Sequence, residues 1–558
     1  MIEFITDLQE TSRLLNTAVK NKFLSVALNY DGYRSVAPVI AKKDGRNILI
    51  TRHIERGNVE ALQKIDKAIP PDYQVVYYNP YFTFEPSEIA VYEDFISAVD
   101  GIAGQEGVAS VHQDMPLSMY QSLAKKYDCV LAEKTVADPR FYLYTVSQAA
   151  VLEKFNQKRD QADQAALKLI ENSPVKKELT AYIKNRVDTR FVLLDKLLQT
   201  NGLEAVLCTS PLGVQEITGY GITRHQEDRV AALYIKGSAN VYLFSVLPLE
   251  DYGPGQQVDS FAAMVKNLVS DGPLGLEEQH FPIGWLTGLG FAELNWKNAM
   301  NMVRQLRELR AAEDLSYCII AARISVFATD ESLEWGKKEI LAGRKISELD
   351  IYNKYQFLLQ VFKERHNLPL KINTFWTNCH AAGRSVIPSL PFDYPLDQSC
   401  KAVKIDAGVS LIGDTGIHHA ASDIARTIIF DGDVQKAYDR FESYMVKDVI
   451  PNVKAGMCGK DIYELAVSRV EKERPYFLSL GMIPDADLAR VFNRDVGHNM
   501  GLQEPVTIFF KKDTAAAVTE GMVGALEYQW SMKNFGIGVE DLFLIGPDGG
   551  LNFSRDQL

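Results

Sequence analysis

The sequence predicts an α/β fold for the first half of the chain and an α+β fold for the last part, on three observations. Ahead of Lys297, short apolar strands alternate with amphipathic helical stretches. From Lys297 to about His366 helices dominate, broken at Ala342-Gly343-Arg344. Beyond them, short strands are punctuated by Gly, Pro, Asp and Asn turns. At 558 residues the chain is too long for one ordinary core, so three or four domains are expected.

In the amino-terminal part, residues 23–28 (FLSVAL), 36–41 and 47–51 read as strands, the last two joined by the turn Lys43-Asp44-Gly45. Residues 74–78 and 108–111 are further strands, and the unit ends near Ala137-Asp138-Pro139-Arg140, where Asp-Pro disfavours helix. Residues 147–186 are rich in Ala, Lys, Glu, Gln and Leu at helical spacing. A helix over 192–201 leads to a strand at 204–209, a loop over 210–227, and strands at 230–235 and 239–244 about the turn Lys236-Gly237-Ser238. Helix, strand, loop, strand, turn and strand repeat the order of the first unit, which predicts a domain-scale duplication. In the last part, helices are expected at 434–447, 459–473 and 485–490. The predicted division is 1–145, 146–311 and 312–558.

The composition is that of a globular protein, 46% hydrophobic and 24% charged. Lys and Arg number 60 against 72 Asp and Glu, a net charge of -12, which argues against a nucleic-acid or membrane-surface binder. No run approaches the ~18 apolar residues of a membrane span. Acidic residues near Met1 replace the basic start of a signal peptide. The six cysteines are scattered, as expected of buried free thiols in a reducing compartment, so a cytoplasmic location is expected.

Four segments of the last part carry chemistry. Residues 402–408 (AVKIDAG) are a strand ending in Asp406 with a turn-permitting Gly; residues 421–427 (ASDIART) open another strand with Asp423. Residues 497–505 (GHNMGLQEP) place His498 between glycines, and EGMVGALEYQW with FGIGVED put Glu527 and Glu540 on neighbouring strands. Singly, an Asp at a strand end is a turn or cap residue and a His near Gly is structural. Glu527 is different: a carboxylate in an apolar strand needs a cation, a proton or a strong donor.

Together, Asp406, Asp423, His498, Glu527 and Glu540 resemble the five ligands of the pita-bread metallohydrolases, which include methionine aminopeptidase, aminopeptidase P, prolidase and creatinase. The matching signatures are D-x-G, D-x-x-R-T, G-H-x-x-G, G-M-x-x-x-x-E and E-D. The resemblance implies two creatinase-type amino-terminal α/β domains followed by a pita-bread catalytic domain, as in three-domain aminopeptidase P. It implies two divalent ions, Mn²⁺ first and Zn²⁺, Co²⁺ or Fe²⁺ on the same donors, since four carboxylates cannot stay ionised together without cations. Asp423 and Glu540 would bridge the ions, Asp406 would chelate one, and His498 with Glu527 the other. Glu527 would carry the proton during attack by a bridging hydroxide on a carbonyl. The implied activity is cleavage of the N-terminal Xaa-Pro bond of short peptides. A homodimer is expected, with the amino-terminal domains narrowing the entrance; residues 220–225 are a candidate for its rim.

The chain also departs from the family. His380 stands where an upstream catalytic His is expected. Arg494, however, replaces another, no His follows Gly501-Leu502, and Gly538 replaces the Arg common two positions before the last ligand. The hairpin between Asp406 and Asp423 is long and carries Asp414, His418 and His419. These are expected to be solvated loop residues; otherwise a histidine substitutes for a missing one, or Asp414 for Asp406. Two other functions therefore stay open: hydrolysis of another C–N bond in a small amide or amidine, and a catalytically silent binding protein.

Overall fold

A computed structural model describes residues 2–5, 39–64, 69–70, 72–79, 91–104, 107–132, 140–221, 230–270, 272–386, 389, 391–480, 495–500, 507–531 and 535–556. The expected strand at 23–28, the boundary near 137–139 and the expected helix at 485–490 lie outside the described residues, as do Arg494, Gly501 and Leu502.

The first sheet contains β1 (Ile2–Ile5), β2 (Val39–Lys43), β3 (Arg46–Arg52), β4 (Gln74–Tyr78), β5 (Val91–Tyr92), β6 (Val108–Val111) and β7 (Asp128–Leu131), in the order β5-β4-β3-β2-β1-β6-β7. The second contains β8 (Phe141–Ser147), β9 (Ala205–Cys208), β10 (Val230–Ile235), β11 (Asn240–Ser245), β12 (Gln256–Val258), β13 (Leu274–Leu276) and β14 (Trp296–Asn298), in the order β12-β8-β11-β10-β9-β13-β14. The five strands β3-β2-β1-β6-β7 and β11-β10-β9-β13-β14 share their order. They also share their orientations, antiparallel within each hairpin and parallel beyond β1 or β9. In the first sheet the place facing β2 is taken by Ile2–Ile5.

The two sheets meet about a local symmetry. Helices Leu117–Ala124 and Ile283–Gly288 each start after a proline, and Pro116 and Pro282 form an antiparallel bridge. Leu117 N donates to Phe281 O, and Ile283 N donates to Met115 O, both at 2.9 Å. One apolar cluster runs through both units, from Ile2, Phe4 and Val111 to Phe244, Phe261 and Phe291. The strand Phe141–Ser147 pairs wholly within the second sheet.

The stretch expected as a loop from 210 contains a helix, Pro211–Thr218. Ser210 Oγ caps it by accepting Gly213 N at 2.9 Å, Pro sits in its first turn, and Gly219 ends it with φ 65°. Flanking Pro and Gly look like a loop in sequence, although they are also the start and stop of a short helix.

The helix Leu315–Leu341 is the spine of the carboxy-terminal domain, and its first half is buried almost all round. Gly343, at φ 72°, reverses the chain, and Ser347 with Asp350 forms a capping box for Glu348–Arg365. A short ribbon, β15 (Ile346–Ser347) with β17 (Pro395–Leu396), flanks these helices. The remaining strands are β16 (Lys371–Ala381), β18 (Ala402–Ile412), β19 (His418–Ala421), β20 (Ile424–Ile429), β21 (Gly497–Met500), β22 (Val523–Ser531), β23 (Gly536–Ile545) and β24 (Gly550–Asn552). They form two antiparallel sheets, β16-β18-β19 with β20 also on β18, and β21-β22-β23-β24. The sheets join where β20 packs on β23.

No helix among the described residues is long and apolar enough to cross a membrane. All six cysteines are free thiols: Cys208, Cys318, Cys379 and Cys400 are buried, whereas Cys129 and Cys458 are half-buried.

Candidate metal centre

Strand register decides which side chains share a face, because direct partners in an antiparallel pair point the same way and residues two apart repeat. In one sheet, Asn378 pairs with Asp406, His380 with Lys404, and Asp406 with Ala425. That puts His380, Lys404 and Asp406 on one face. In the other sheet, His498 pairs with Ala525, Glu527 with Glu540, and Gln529 with Gly538. That face carries His498, Glu527, Gln529 and Glu540.

The faces converge. Ligand atoms of Asp423, His498 and Glu540 lie within 4.8 Å of one another. His498 Nε2 is 3.7 Å from Asp423 Oδ2. His498 Nδ1 lies 3.0 Å from Asn499 O, so Nε2 is the ring nitrogen that faces the carboxylates. Glu527 sits directly across the strand pair from Glu540. Asp406 reaches the second sheet through Gln529, whose Nε2 donates to Asp406 Oδ2 at 3.4 Å. Oxygen-rich donors with one imidazole suit a hard or borderline divalent ion, so the residues present fit the implied metals.

The backbone is built for this convergence. Gly497 has φ 135°, and a Cβ there would lie 2.1 Å from Ala525 O, so only glycine brings His498 this close to β22. Asn499 Oδ1 accepts Ile508 N at 2.9 Å and Thr507 N at 3.2 Å, fixing the residue beside His498. Arg426, three residues after Asp423, donates to the backbone oxygen of Glu540 and to Asp541 Oδ1, both at 2.6 Å. Arg555 Nε completes the Asp541 pair at 2.7 Å. Burial alone would raise the Asp541 carboxyl; Arg555 and Arg426 outweigh it and hold it below its ordinary value. The sequence offered Arg426 and Asp541 only as parts of signatures, and gave no role to Lys404 or Gln529. The apolar strands around Lys404 and Gln529 were the available signal.

His380 is fully buried, with Nδ1 3.3 Å from Ser389 O, while Nε2 has no hydrogen-bond partner among the described residues. Burial, then Lys404 and Arg384, hold its pKa well below the usual histidine value, so the ring is neutral. With the proton on Nδ1, Nε2 is an acceptor.

The two histidines of the long hairpin are not solvated as expected, whereas Asp414 is. His418 and His419 are buried on β19. Gln215 of the helix Pro211–Thr218 grips His418, donating to its oxygen at 3.0 Å and accepting from its N–H at 2.8 Å. His419 stacks on Tyr317 with ring centroids 4.2 Å apart. Burial first, and then Arg307 or Arg159, push the two rings down to about 4 and about 3 respectively. Neither belongs to the Asp423 cluster. Asp414 is exposed at the hairpin tip and pairs with Lys158, so it does not replace Asp406. The cause is tertiary: the second α/β unit covers the hairpin. In the candidate rim, Tyr220 is buried and Gly221 packs on Gly416, whereas residues 222–225 lie outside the described residues.

Residues 318–547 match the sequence model of metallopeptidase family M24. An uncharacterized peptidase of Staphylococcus epidermidis is 22% identical over 378 residues, 65% of this chain and 97% of that protein. The structure of an X-prolyl aminopeptidase from Caenorhabditis elegans, described as a cytosolic enzyme with a di-nuclear active site, superposes with a TM-score of 0.57. The identity is 11%, over 97% of this chain and 83% of that chain. A prolidase from Thermococcus sibiricus gives 0.51 at 16% identity, over 67% of this chain and 98% of its own. Match and fold define the carboxy-terminal domain as a metallopeptidase domain, a hydrolytic peptidase by class. It is an M24 domain of the pita-bread superfamily, carried behind amino-terminal α/β units.

Proposed function

We propose that this protein is a dinuclear-metal aminopeptidase that removes an N-terminal residue preceding proline from short peptides. The observation that carries the reading is the convergence of Asp423, His498 and Glu540 within 4.8 Å, with Glu527 across the strand from Glu540. Asp406, Asp423, His498, Glu527 and Glu540 would hold the ions. Mn²⁺ is the first candidate, with Zn²⁺, Co²⁺ or Fe²⁺ on the same donors. Bound divalent ions supply Lewis acidity and a water acidic enough to attack at neutral pH. Glu527 takes the proton from the attacking water and returns it to the leaving nitrogen. His380, neutral and on the face that carries Asp406, is the candidate catalytic histidine of the set. The location is cytoplasmic and the assembly a homodimer, its amino-terminal units restricting entry to short chains. The division into domains is that expected from sequence, 1–145, 146–311 and 312–558, with its first boundary moved ahead of Phe141, because the strand Phe141–Ser147 pairs wholly within the second sheet.

Two measurements test this together. Mn²⁺-loaded protein is expected to cleave an Xaa-Pro peptide at its first bond. Metal analysis is expected to find two ions per chain, with at least one lost in His498→Ala. Equal metal content in both proteins would sink the ligand assignment. Full metal with turnover only of non-peptide amides would sink the substrate.

A further inference from the structure

A lysine stands among the carboxylates. Lys404 is 7% exposed and Gln529 is 8% exposed, each on the inward face of its own sheet. Lys404 Nζ donates to Gln529 Oε1 at 2.8 Å, and Gln529 Nε2 donates to Asp406 Oδ2 at 3.4 Å. The chemistry of the ends fixes the amide between them. An ammonium only donates and an ionised carboxylate only accepts, so Gln529 has one orientation that satisfies both.

The space for that amide comes from Gly538, its direct partner on β23. A Cβ at Gly538 would lie 2.2 Å from Gln529 Oε1 and 3.0 Å from Nε2. Gly538 is itself held in place. Thr427 Oγ1 accepts its N–H and donates to its oxygen, both at 2.9 Å. The clearance is therefore fixed by backbone, and any side chain at position 538 would push the amide off Asp406.

We propose that Lys404 and Gln529 form a positioning relay that orients the Asp406 carboxylate towards its ion, with Gly538 as the clearance that admits the relay. This rests on Asp406 being a metal ligand. Hydrogen bonds from outside the ligand set typically change metal affinity by about 10–100-fold. Charge alone predicts the opposite sign for the lysine, because removing a cation beside the site would tighten binding of another cation.

The test is calorimetric titration of Mn²⁺ into metal-stripped, full-length protein. Gln529→Leu, which changes no charge, is expected to weaken one of two Mn²⁺ ions by about 10–100-fold and leave the other unchanged. Gly538→Ala, which displaces the amide without altering a polar group, is expected to weaken the same ion. Lys404→Met is expected to weaken it too, and Lys404→Arg to restore it. Melting of the metal-free variants identifies any that fail to fold, and the remaining substitutions then decide. Unchanged affinities in Gln529→Leu and Gly538→Ala, or tighter binding in Lys404→Met, would overturn the relay while leaving the metal reading intact. Failure of the unsubstituted protein to bind Mn²⁺ would overturn both.

Discussion

Glu308 shows how one buried carboxyl links the middle of the chain to the candidate centre. It lies on the helix Met300–Leu309, with Thr507 and Asn499, the latter next to His498, as polar neighbours that lower its pKa. Burial raises its pKa to about 7, against smaller opposing effects from those neighbours and Arg304. A carboxyl whose folded pKa is raised contributes full stability below its unfolded value near 4.5, and loses it as pH climbs through about 7. Wild-type melting temperature is therefore expected to fall relative to Glu308→Gln as pH rises across that interval. Parallel curves for the two proteins would refute the assignment. Asp314 has the opposite sign. Burial would raise it, but Arg159, Arg310 and Arg307 hold it low, so its contribution is present at neutral pH and lost in acid.

Among the elements, the junction of β20 with β23 matters most, because it joins Asp423 and Glu540 across two sheets. Arg426 makes that junction through the carbonyl of Glu540, a candidate ligand, and a fully buried Asp541. Arg426→Met is expected to cost about 3–5 kcal/mol in urea unfolding, the usual penalty for breaking a buried pair. It should also reduce metal affinity; a stability change below 1 kcal/mol would show that Arg555 suffices alone. The hairpin β10–β11 and the spine helix were legible in the sequence because period and turn residues agree there. So was the order of Asp406, Asp423, His498, Glu527 and Glu540, since each sits in a short signature. The helix Pro211–Thr218 and the burial of His418 and His419 were not legible. The helix was missed because its Ser, Pro and Gly signals also read as a loop. The burial depends on segments about 200 residues apart meeting, as Gln215 meets His418, which local pattern does not carry. Lys404 and Gln529 share that difficulty, since their meaning lies in a contact between sheets.

Across the whole molecule, a buried charge cluster sits where the second α/β unit runs into the spine helix. Glu216 is completely buried and pairs with Arg190, with Arg307 at 2.5 Å and with Arg310 at 3.1 Å. Arg159 pairs with Asp314 at 2.6 Å beside it. Burial alone would raise the Glu216 carboxyl, but the three guanidiniums outweigh it and keep it charged. Glu216→Gln leaves those cations without their central anion and is expected to lower stability by about 3–5 kcal/mol. Urea unfolding checks this; a stability change below about 1 kcal/mol would count against the cluster's role.

The grip of Gln215 on His418 has a consequence for anyone dividing this chain. The hairpin it holds is the stretch of backbone running from Asp406 to Asp423. Lys158 and Gly221 press on the same tip. A scissor cut ahead of the spine helix would therefore not yield a free-standing catalyst with its lid removed. It would take away a wall of the mould in which one arm of the centre is cast, so shuffling these modules with those of a relative calls for exchanging the hairpin along with the unit that clasps it.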